Sequence, residues 1–97
     1  MEIIFLQTSY RINSTLNEYY GNQENTGAAL RAIVTEYADK LEEIDITKYK
    51  KGDFQKRILI DGKIKAKYVD YFGSRMAGRA FSVLMQELLL RTAREEK

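Results

Sequence analysis

Ninety-seven residues, 44% apolar and 31% charged, suit one domain spanning 1–97 and are too apolar for a disordered tail. With no cysteine and no histidine, the chain cannot form disulfides, thiolate or imidazole metal sites, thiol nucleophiles or Ser-His pairs, so neither cofactor nor metal is expected. The net charge of +2 divides unevenly: −5 over residues 1–47, +7 over 48–79 and zero over 80–97. Such a split suits a basic interacting surface, or two halves that attract each other.

Residues 1–26 give the weakest pattern. The apolar run Ile3–Leu6 suits a short buried strand or a helix start, and with Glu2 ahead of it is too short and too acidic for a signal peptide. No stretch approaches a membrane span, so a cytoplasmic protein without a membrane partner is expected. Thr15–Tyr20 can make one or two helical turns closed by Gly21, and Asn22–Gly27 reads as a polar loop with Thr26 as a helix cap.

Leu30, Ile33, Val34, Tyr37, Leu41 and Ile44 recur at the spacing of one helical face, predicting a helix over about 27–44. Its acidic side, with Glu36, Asp39 and Glu42, could hold a hard cation but reads better as a solvated face, Glu36 pairing with Lys40.

After Asp45 the pattern turns to strands. A short third strand is allowed at 46–49, Lys50-Lys51-Gly52-Asp53 has turn composition, and segments 54–60 and 64–71 flank Asp61-Gly62, a hairpin signal. A three-residue loop would pair Ile58 with Ile64, Lys56 with Ala66 and Phe54 with Tyr68 on one face. It would gather Gln55, Arg57, Lys63, Lys65 and Lys67 on the other, a register set by the apolar pattern.

A long C-terminal helix over 74–95, capped by Ser74, completes a small α+β fold: helix, short antiparallel sheet, long helix. Ala77, Ala80, Phe81, Leu84 and Leu88 form its core face, while Val83, Met85, Leu89 and Leu90 spread apolar surface to its flanks. That belt needs cover from residues 1–20 or from a second copy in a homodimer through this helix.

Two groups of cations are the functional candidates. The expected hairpin face offers Arg57, Lys63, Lys65 and Lys67, with Lys50 and Lys51 in the turn before it. The start of the last helix offers Arg75 and Arg79, four residues apart on a polar stripe. Both suit phosphates, although lysines also solubilise sheet edges and surface arginines are ordinary. The seven tyrosines serve base stacking and protein contacts equally well.

Residues 28–95, read as helix, three strands, helix, resemble a double-stranded-RNA-binding domain. Phe54–Ile64 is similar to that family's second strand, turn and third strand. Gly73-Ser74-Arg75-Met76-Ala77-Gly78-Arg79 resembles the start of its second helix, where a Ser-Lys-Lys-x-Ala-Lys pattern grips phosphates across the major groove. The resemblance implies that Arg75 and Arg79 occupy two of those basic positions, with Met76 and Gly78 replacing a lysine and an alanine. Lys50–Asp53 stands where the family has a Gly-Pro-x-His turn, the first helix is acidic, and residues 1–27 lie outside the match.

Two readings follow. One is a non-catalytic module that binds nucleic acid, duplex favoured, through Lys50, Lys51, Arg57, Lys63, Lys65, Lys67, Arg75 and Arg79. The other is a small regulator or inhibitor of the immunity, antitoxin or phage anti-defence type that binds an acidic protein surface. Carboxylate or Ser/Lys chemistry is all that the composition leaves to an enzyme.

Overall fold

The computed structural model describes residues 1–95. In chain order it has strand β1 (Glu2–Thr8), helices α1 (Tyr10–Tyr20) and α2 (Gln23–Tyr37), and two 3-10 turns (Leu41–Glu43 and Ile46–Lys48). Strand β2 (Phe54–Ile60) and helices α3 (Gly62–Phe72) and α4 (Ser74–Glu95) follow. The α+β class and the long C-terminal helix are as the sequence predicts. No helix is long and apolar enough to cross a membrane among the described residues.

The sheet departs from expectation. The partner of β2 is β1, antiparallel, with Ile4 opposite Ile58, Phe5 opposite Arg57 and Leu6 opposite Lys56. Residues 64–71, expected as the second hairpin strand, belong to α3. The segment satisfies both periods: Ile64, Ala66 and Tyr68 alternate, but Ile64, Tyr68 and Phe72 also fall one helical turn apart. Capping decides for the helix. The Asp61 carboxylate accepts from the Lys63 N–H at 2.7 Å, and Gly73, at φ 87°, ends α3 where a side chain would be strained. Asp61-Gly62 is therefore a helix start rather than a hairpin turn. The third strand expected at 46–49 is also absent, replaced by the second 3-10 turn. The helix–three strands–helix order implied by the resemblance is thus not formed.

α2 begins earlier than predicted, on an Asn22 cap, and stops at Tyr37 instead of 44. Leu41 and Ile44 still reach the core, because the chain folds back through the 3-10 turns toward α4. At the helix end the Ala38 N–H turns to the Thr35 carbonyl, and the buried Tyr68 hydroxyl donates to the Val34 carbonyl at 2.6 Å. Burial pushes the Tyr68 pKa up.

The inner face of the sheet carries Ile4, Leu6, Ile58 and Ile60 onto α4 and α2, joined by Leu30, Ile33, Phe81, Leu84 and Met85 in one core cluster. The apolar belt of α4 is covered in part within the chain, by β1, α1, α2 and α3: Val83 and Met85 are buried, Leu89 is half-buried and Leu90 stays exposed. Ser82 joins α4 to the edge of β1, its hydroxyl accepting from the Gln7 N–H at 2.9 Å and donating to the Gly78 carbonyl.

Candidate functional site

Strand alternation gives the sheet a second face, which among the described residues stays largely open. Ile3, Phe5 and Gln7 of β1 stand there opposite Leu59, Arg57 and Gln55 of β2. Phe5 is 47% exposed, and Ile3 and Leu59 are 44% exposed each. The N-terminal half of α4 lies along the β1 edge, so Phe5, Gln7 and Gln55 share a hollow of about 240 Å³ with Tyr49, Arg75 and Arg79. Tyr49 is fixed there by its hydroxyl, which donates to Gln7 Oε1 at 2.8 Å, and the Arg79 guanidinium lies 5.4 Å from the ring centre. Phe5 therefore has Arg57 on one side and Arg75 and Arg79 on the other. No carboxylate lines the hollow, and none of the three arginines forms an ion pair among the described residues.

Gly52 holds the approach to this face. Its backbone crosses so near the end of β1 that a Cβ would lie 1.9 Å from the Thr8 carbonyl oxygen. That contact seats the segment carrying Tyr49, Lys50 and Lys51.

The other predicted cations are dispersed. Lys63, Lys65 and Lys67 sit on α3 rather than on a sheet face, a direct consequence of the helix. Lys65 is drawn to the Ile3 carbonyl at 3.2 Å and to Glu2 at 3.8 Å, and Lys67 pairs with Asp39 at 3.0 Å. Lys50 and Lys51 line a separate hollow beside Ile12 and Leu89. Of the eight residues, Arg75 and Arg79 are brought together in the hollow, and Arg57 stands opposite Phe5 on the same sheet face. Phe5, Gln7, Tyr49 and Gln55 join them, and only knowledge of β1 as the partner strand could have found the first two.

The acidic face of α2 is occupied by cations from its own chain. Glu36 accepts both guanidinium nitrogens of Arg91, at 2.9 and 2.7 Å, and pairs with Lys40 at 3.1 Å. These bonds, Arg91's first, hold its pKa down at about 2.

Comparison of the chain with protein-family models, curated proteins and solved structures finds no match.

Proposed function

We propose that the chain is a non-catalytic nucleic-acid-binding module that takes a single strand across the open face of its sheet. The observation that carries this reading is the set Arg57, Arg75 and Arg79, not ion-paired among the described residues, around an exposed Phe5. Arginines so placed suit backbone phosphates, and Phe5 with Tyr49 offers rings to bases. Exposed apolar side chains between the cations favour unstacked bases, which a duplex does not present.

Fluorescence anisotropy with labelled single-stranded oligonucleotides tests this. Three phosphate contacts predict a log–log salt slope of about −2, and Arg75→Gln with Arg79→Gln should flatten it by about 1.4. Phe5→Ala should weaken binding about tenfold. Failure to bind any strand at low salt would end the reading. The cross-strand pair Ile3 and Leu59 favours a protein partner as the second reading for this face.

A further inference from the structure

Among the described residues β2 has a strand on one side only. Along its other edge runs a groove of about 940 Å³, walled by Gln23, Gly27 and Arg31 of α2 and reaching Gln55, Lys56 and Arg57. The Arg31 Nε–H donates to the Leu59 carbonyl at 2.8 Å. That bond shows which way the peptide groups point: since N–H and C=O alternate sides along a strand, those of Gln55 and Arg57 also face the groove. They are ladder positions without a strand to meet them, and Arg31 closes the groove at its Leu59 end.

Lys56 points to the inner side of the sheet, is 5% exposed and lines the same groove. Neither hydrogen bond nor ion pair engages its amine among the described residues, and burial alone pushes its pKa down. Its stem is buried while its amine, at the groove, has no acceptor among these residues, so a carboxylate brought there would gain a charge-assisted bond. Gly27 keeps the opposite wall low; a Cβ there would meet nothing within 4 Å, although glycine inside a helix costs about 1 kcal/mol. Arg31, Lys56 and Arg57 outweigh the one carboxylate of the groove, Glu24.

We infer that this groove binds an extended acidic peptide, which adds to β2 as a third strand and places a carboxylate against Lys56. The peptide groups of Gln55 and Arg57 give the backbone contacts, and the side chain beside Lys56 on the inner face gives selectivity. This groove shares Gln55 and Arg57 with the open sheet face, but Arg75 and Arg79 do not line it.

The test uses a labelled decapeptide of alternating threonine and glutamate and its glutamine counterpart. The acidic peptide should bind at least about tenfold more tightly, as expected for a charge-assisted bond. Lys56→Met should reduce that preference while keeping Tm, since it retains a buried apolar stem and removes an amine that has no partner among the described residues. Gln55→Pro should weaken both peptides, because it deletes an outward-facing edge N–H that the fold itself does not use. Arg75→Gln with Arg79→Gln should leave peptide binding unchanged. Equal affinity for the two peptides overturns the inference, as does indifference to both Lys56→Met and Gln55→Pro. Self-association through the β2 edge that excludes the peptide also overturns it.

Discussion

The two ends of α4 carry the same side chain in different company. Toward the C-terminus Arg91 forks onto Glu36 and reaches Glu87 at 3.8 Å, while Arg94 takes Glu87 at 3.0 Å. Toward the N-terminus Arg75 and Arg79 line a hollow without a carboxylate among the described residues, and Arg79 lies against the Tyr49 ring. The difference is one of neighbours: α2 brings Glu36 to one end, where α4 itself adds Glu87, and β1 brings Phe5 and Gln7 to the other. Exposed ion pairs add little stability, about 0–1 kcal/mol each. Their consequence here is that the charge at the C-terminal end is neutralised within the chain, while that at the N-terminal end stays available to an anion.

The largest expected disturbance of this contrast comes from outside α4. Gly52→Ala would drive a methyl group into the Thr8 carbonyl, costing about 3 kcal/mol and displacing the segment that carries Tyr49. Chemical denaturation should show the loss, and oligonucleotide affinity at the arginine end should fall with it.

Tyr68→Phe is next. It strips the Val34 carbonyl of its buried donor where α2, α3 and α4 meet, at a cost of about 1–2 kcal/mol. Because Tyr68 packs on Phe81, midway along α4, the whole fold should melt lower by several degrees while the binding surface keeps its affinity.

Glu36→Gln should have the smallest effect, about 0.5–1 kcal/mol at neutral pH, because the network is partly exposed. Its pH dependence has a definite sign. The carboxyl of Glu36 is held near 2, against an ordinary 4.5, so its contribution is full above about 4.5 and fades as pH falls toward about 2. Melting curves of wild type and Glu36→Gln should therefore converge across that window, with oligonucleotide binding at neutral pH alike in both.

How much of this could be read from the sequence depends on the range of the interaction. Leu30, Ile33 and Val34, and Ala77 through Leu88, announce their helices because the period is local. The pairing of β1 with β2 joins residues about fifty apart, and Ile3–Leu6 is apolar on both faces, so no alternation marks a strand. Ile64–Phe72 fits two periods, and Asp61-Gly62 serves equally as a turn or a cap. Arg57, Arg75 and Arg79 were visible as cations, but their company was not, since Phe5 and Gln7 arrive with β1. The side of β2 that Lys56 faces could be read from strand alternation, yet nothing in the sequence says that its amine lacks an acceptor.

The most direct measurement compares two double neutralisations, Arg75→Gln with Arg79→Gln and Arg91→Gln with Arg94→Gln. They remove equal charge from opposite ends of one helix. Each is titrated with the same labelled single strand at low salt and melted in the same buffer. The account predicts that the first loses about tenfold in affinity per arginine with Tm unchanged, and that the second melts lower and binds as wild type does. Equal losses of affinity in both, or a wild-type chain that binds no strand, would contradict it.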